Sequence, residues 1–182
     1  MSPTAKTWTR LVTTLALFLA CWLNWRYPVF RFTSPALDQA FFVAFMFLLA
    51  AAAVFAIAVR PSWVGWPMAA VLAVPAAGAS LLALLALPGV AETFASGRNT
   101  AFEPIHLIRT SRGDVRAYRT NGGATTSFGI VVRQERVLFP GLKVVRDIYH
   151  AYPAYDVPIE MLPDGQVMVD GARMELRSAV WF

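Results

Sequence analysis

The chain has 182 residues, of which 57% are hydrophobic and 15% charged, against about 25% charged in an average soluble protein. That composition points to a membrane protein. Residues 1–91 hold five Lys/Arg and one acid, Asp38, so the remaining 11 Lys/Arg and 10 acids fall in residues 92–182. A nearly neutral second half excludes a surface that grips nucleic acid through its phosphates, and Cys21, the single cysteine, excludes an intrachain disulfide.

The first apolar stretch, Leu11–Trp25, is uncharged but only 15 residues long, about 22 Å as helix. Arg10 and Arg26 bound it, and Trp8, Trp22, Trp25 and Tyr27 suit the headgroup belt. Basic Lys6 and Arg10, an apolar run and Phe18-Leu19-Ala20-Cys21 also follow the order of a lipoprotein signal. Phe18 and the aromatic residues after Cys21 fit that signal poorly, so the stretch is read as a helix with Cys21 as a small apolar member. Asn24 near its end is read as a helix–helix or headgroup hydrogen bond.

Arg26–Thr33 is a basic, aromatic link. Ser34-Pro35 then has the form of an N-cap followed by Pro at the first helical position. Asp38 falls in the first turns, where the helix dipole favours a carboxylate. Phe41–Val59 carries no charge, hydroxyl or proline over 19 residues, and about 20 apolar residues cross the bilayer's hydrocarbon. Pro61–Ala91 is uncharged for 31 residues and is punctuated by Pro67, Pro75 and Pro88. The third helix is expected at about Pro67–Leu87, kinked at Pro75, with Trp63 and Trp66 as interfacial anchors. Ala73, Ala77, Gly78 and Ser80 permit close helix contact, either inside the three-helix unit, the favoured reading, or in an oligomer or partner seam.

No Asp, Glu, Lys, Arg or His lies inside these spans. Proton relays and ion pathways need such groups, so a pump or transporter acting alone is disfavoured. With three spans, Lys6, Arg10 and Arg60 face one side, and Arg26, Arg31 and Arg98 the other. The short-loop charges therefore balance, and the basic residues ahead of the first helix favour a cytoplasmic N-terminus with the tail outside.

After a polar connector at Glu92–Thr100 the pattern changes to alternation. Ile105 and Leu107 flank His106; Phe128, Ile130 and Val132 share one parity, as do Val167 and Val169, and Met174 and Leu176. Period two means half-buried strands. Turn signals separate them at Arg112-Gly113-Asp114, Asn121-Gly122-Gly123, Pro140-Gly141, Pro163-Asp164-Gly165 and Asp170-Gly171. The last suits a two-residue type I′ hairpin. Five or six short strands imply a small antiparallel all-β or α+β domain; Lys143–His150 fits a strand or a short helix. The expected division is 1–91, a three-helix transmembrane anchor, and 92–182, an extracytoplasmic β-rich domain.

Asn121-Gly122-Gly123-Ala124-Thr125-Thr126-Ser127-Phe128, with Tyr149–Tyr155 and Val157–Leu176 following in order, resembles a family of small extracytoplasmic membrane-tethered β-domains. The resemblance spans roughly residues 105–177 and implies an external domain. It transfers no catalytic residue, and a three-span anchor departs from that family's usual single anchor.

Candidate chemistry is sparse. Asn121–Ser127 lacks the Lys and following helix of a phosphate loop, so a structural turn is favoured. His106 and His150 with Asp147, Asp156 or Glu160 lack a recognised metal-ligand spacing. No nucleophile motif is present. Arg112-Gly113-Asp114 matches an adhesion tripeptide but reads as a turn. Tyr149, Tyr152 and Tyr155, with Pro153 among them, are the candidate partner-binding residues, with sheet-edge packing as the alternative. The expected function is a non-enzymatic accessory or interaction protein of the bacterial inner membrane. It would present the β-domain to another membrane or envelope protein, without a cofactor or metal, and homo-oligomers are compatible with it. The alternative is a subunit of a membrane enzyme or transporter whose active site other subunits complete.

Overall fold

A computed structural model describes residues 3–27, 29–99, 101–121 and 127–177. Three helices, α1 (Pro3–Arg26), α2 (Pro35–Ile57) and α3 (Ser62–Ser96), precede most of the strands. The chain forms two units. One comprises Met1–Tyr27 and Leu37–Glu92; the other comprises Pro28–Ala36 and Thr93–Phe182.

Within the helical unit α1 and α2 lie antiparallel. Trp25 meets Phe42 at 4.4 Å between ring centroids and Phe18 meets Phe45 at 6.0 Å. Further along, Leu11 packs with Ala52 and Ala56. The return into α3 is close-packed: a Cβ on Gly65 would stand 2.6 Å from the Ala56 carbonyl oxygen and 2.8 Å from that of Val59. α2 and α3 are long and apolar enough to cross a bilayer, and only 22% and 17% of their most apolar windows are buried within the protein. A core helix of a soluble protein would be mostly buried. Val54, Val71, Val74 and Leu85 are instead among the most exposed side chains.

Two expectations for α3 are corrected. It is one continuous 35-residue helix through Pro67, Pro75 and Pro88, not a shorter segment followed by a polar connector from Glu92. Each proline removes one backbone bond, whereas opening the chain in an apolar run would orphan several. Its buried face is made by Ala69, Ala76, Ala79 and Ala83, which recur at helical spacing. Ala73, Ala77 and Gly78 are exposed and do not mediate packing within the unit.

The second unit holds two antiparallel sheets. The larger has the order β1-β5-β4-β3-β2, formed by β1 (Phe30–Phe32), β2 (Phe102–Thr110), β3 (Gly113–Asn121), β4 (Phe128–Phe139) and β5 (Leu142–Ala151). The smaller has the order β6-β7-β8, formed by Ile159–Met161, Val167–Val169 and Ala172–Met174. Alternation decides what lies between them. Val115 and Ala117 of β3 and Ile130 and Val132 of β4 share one face and form a core with Val157, Val167, Val169 and Leu176. Each fully buried Val, Ile or Leu there stabilises the unit by about 1.5–3 kcal/mol.

The turns follow their residues. Asp170 and Gly171 take φ of 50° and 75°, as a type I′ hairpin requires. Gly113, at φ 118°, opens β3 at the Arg112-Gly113-Asp114 turn. Lys143–His150 is strand, within β5. Of the Asn121-Gly122-Gly123 signal, residues 122–126 lie outside the described residues.

β1 was not expected. Three residues from the link between α1 and α2 form an edge strand of the tail's sheet, with Phe30 opposite Val144, Arg31 opposite Lys143 and Phe32 opposite Leu142. The Val145 N–H donates to Val29 O at 2.8 Å and the Thr33 N–H to Gly141 O at 3.1 Å. In sequence, therefore, α2 and α3 are a helical hairpin inserted between the first and second strands of one sheet.

Candidate functional site

The candidate tyrosines separate into two environments. Tyr149 stands opposite Val132 in the β4–β5 ladder, packs against the core and donates from its hydroxyl to Asp170 Oδ2 at 2.8 Å. That bond, with lesser help from desolvation and the Asp170 charge, raises the phenol above its ordinary pKa. Tyr152 and Tyr155 are 67% and 64% exposed. Tyr152 accepts from the Ser127 N–H at 3.3 Å, and the Tyr155 ring meets that of Phe128 at 5.2 Å. Arg119 lies over the same Phe128 ring, its guanidinium carbon 5.6 Å from the ring centre. These residues make an aromatic patch at the end of the sheet where β4 begins.

The face of the large sheet opposite the core is charged, because the alternate residues of the same strands point there. Asp114, Arg116 and Tyr118 of β3 lie across from Glu135, Arg133 and Val131 of β4. Arg133 and Glu135 in turn pair with Asp147 and Val145 of β5. Glu135 is only 6% exposed. It accepts from the Tyr118 hydroxyl at 2.6 Å and from Lys143 Nζ at 2.8 Å, and Arg116 Nε is 3.6 Å away. Burial above all, then the Glu135 charge and hydrogen bond, holds the Tyr118 phenol far above its ordinary pKa. Arg133 donates to Asp147 at 2.6 Å and stacks over Phe102 with its guanidinium carbon 4.8 Å from the ring centre. Asp114 meets Arg116 at 3.4 Å. Each of the three carboxylates already meets a cation, and the directly opposed Arg116 and Arg133 are separated in charge by their own acids.

The two histidines are not brought together. His106 Nε2 lies 2.6 Å from Asp156 Oδ1, while His150 lies 3.5 Å from Asp147. The His106 bond, then the Val157 N–H, holds the Asp156 carboxyl below the usual carboxylate range. A carboxylate that orients an imidazole is one part of a catalytic relay, but His106 meets no hydroxyl or thiol within hydrogen-bond range among the described residues. No group of three or more His, Cys, Asp or Glu suited to a metal occurs among them either. Glu160 lies in β6, opposite Met168.

Comparison with known protein families, curated proteins and solved structures returns no match. The charged face and β1 are not among the elements that the sequence predicts. The signal for the first was present: Arg133 and Glu135 occupy the parity opposite Ile130 and Val132. β1 is too short to show a period.

Proposed function

We propose that this is a non-enzymatic, membrane-anchored accessory protein that presents its β unit to a partner protein of the cell envelope. In this reading all three helices cross the bilayer, the N-terminus is cytoplasmic and the β unit is external. The observation that carries it is the pairing of β1 with β5. Two segments of one sheet occupy one side of a membrane, so the chain between them must cross an even number of times, as the α2–α3 hairpin does. The antiparallel packing of α1 along α2, from Trp25 on Phe42 to Leu11 on Ala52, supports a third crossing. The aromatic patch of Tyr152, Tyr155 and Phe128 is the partner surface in this reading, since exposed aromatic side chains favour interfaces.

Reporter fusions test the topology. Alkaline phosphatase fused after Phe182 is expected to be active and green fluorescent protein dark; the reverse places the β unit in the cytoplasm. The partner surface is tested by photocrosslinking in cells. A crosslinker at Tyr152 or Tyr155 is expected to give one defined protein adduct, and a crosslinker at exposed Arg173 none. Absence of an adduct at both tyrosines removes the proposed surface.

A further inference from the structure

We propose that the tip of the β4–β5 hairpin is a second membrane contact, seated in the headgroup layer beside the point where α2 enters the bilayer. This rests on the reading of α2 as a membrane span.

Val137-Leu138-Phe139-Pro140-Gly141-Leu142 is a six-residue run without charge at the tip. Val137, Leu138 and Phe139 are 63%, 38% and 58% exposed. A solvated hairpin tip is ordinarily polar, because turn residues face water. Here the register extends the apolar character sideways: Phe139 pairs with Leu142, and Leu142 with Phe32 of β1. Phe32, Leu142 and Phe139 therefore form one row across three strands.

Chain connectivity names the occupant. β1 is antiparallel to β5, and β5 runs away from the tip, so β1 runs towards it. The Thr33 N–H is bonded to Gly141 O at 3.1 Å, level with the tip, and α2 begins two residues later at Pro35. Two residues span at most about 7 Å. From Pro35 to Phe41, where the uncharged run begins, is about 9 Å of helix, close to the depth of a headgroup layer. A backbone-bonded tip cannot leave that layer by far while α2 spans. Apolar and aromatic side chains partition favourably into that interfacial layer, which offsets the cost of exposing Val137, Leu138 and Phe139. The bilayer is therefore a better occupant than a second protein. The opposite end of β4, at Phe128, is 11 residues away, about 36 Å along the strand, so the tip and the aromatic patch are separate surfaces.

The test uses the full chain with Cys21→Ser, reconstituted in phosphatidylcholine–phosphatidylglycerol nanodiscs. Single cysteines at Phe139, Leu138, Val54 or Tyr155 carry an environment-sensitive fluorophore, with nitroxide lipids as quenchers at two depths. The Val54 label is expected to be quenched most by the deep nitroxide. The Phe139 and Leu138 labels should shift to the blue and lose more intensity to the shallow nitroxide, and the Tyr155 label should be unaffected. An unquenched Val54 label overturns the membrane span and the inference with it. A quenched Val54 label with Phe139 and Leu138 both unquenched overturns the inference alone. A blue shift there without lipid quenching overturns it in favour of a protein occupant. Equal quenching at Tyr155 overturns it as well, since the contact is then not one made by the tip. Hydrogen exchange in β4 and β5 of each labelled chain establishes that the sheet is retained.

Discussion

Removing the Glu135 carboxylate should be among the most damaging single changes to the β unit. The side chain is 6% exposed and receives two short bonds, from Tyr118 at 2.6 Å and from Lys143 at 2.8 Å. Bonds to a charged group contribute about 1.5–3 kcal/mol each. In Glu135→Ala the Lys143 ammonium, 17% exposed, loses its carboxylate, and breaking a buried pair in this way costs about 3–5 kcal/mol. That is a large share of the 5–15 kcal/mol that holds a typical domain folded. Glu135→Gln keeps the shape and one acceptor but not the charge, so a loss of about 1–3 kcal/mol is expected. The measurement is native-state hydrogen exchange of the full chain in nanodiscs, read at the β4 and β5 amides, which reports local opening free energies. Combining Glu135→Leu and Lys143→Met with Tyr118→Phe should recover most of the loss, since the apolar trio leaves neither an orphaned charge nor the Tyr118 hydroxyl without its acceptor. A loss below about 1 kcal/mol for Glu135→Ala, the range of exposed ion pairs, would refute the claim that the network is held in a desolvated face.

Three further outcomes are expected. The Tyr118 phenol keeps its proton in the folded chain to higher pH than in the unfolded chain, so its contribution to stability is complete below about pH 10 and is lost as pH rises from there towards the folded value; alkaline unfolding of Tyr118→Phe should begin later than that of the native chain. Gly65→Ala places a Cβ against the carbonyl oxygens of Ala56, in α2, and Val59, in the link after it, and overpacking of this kind costs about 1–3 kcal/mol, read as a lower unfolding temperature of the helical unit in detergent; an unchanged temperature would show that the helices separate freely. Gly171→Val forces a β-branched residue to φ 75°, at a cost of about 1–3 kcal/mol. Faster exchange confined to β7 and β8 should follow, and unchanged exchange would count against the positive-φ turn.

The sequence by itself determined the elements whose cause is local. Long uncharged runs make helices because an apolar medium leaves the backbone no other partner, so α2 was legible from Phe41–Val59. Period two marked β4 and β7, and Asp170-Gly171 marked its hairpin because few residue pairs accept two positive φ values. The tyrosine pattern placed Tyr152 and Tyr155 in view, but it could not separate them from Tyr149, whose hydroxyl finds Asp170 across the fold.

Tertiary structure decided what depends on distant residues. The continuity of α3 through three prolines was settled by its surroundings and not by propensity. β1 exists because the free edge of β5 offers backbone partners to Phe30–Phe32, a segment with no periodicity of its own. The same pairing places Gly141 beside Thr33, 108 positions earlier in the numbering of the chain, and so sets the apolar hairpin tip next to the start of α2. The charged face arose likewise: Glu135, Lys143 and Tyr118 are unremarkable in sequence and become a network only when β3, β4 and β5 align in register. Strand pairing is a choice among partners far apart in the chain, and no local pattern encodes which edge a short segment will join.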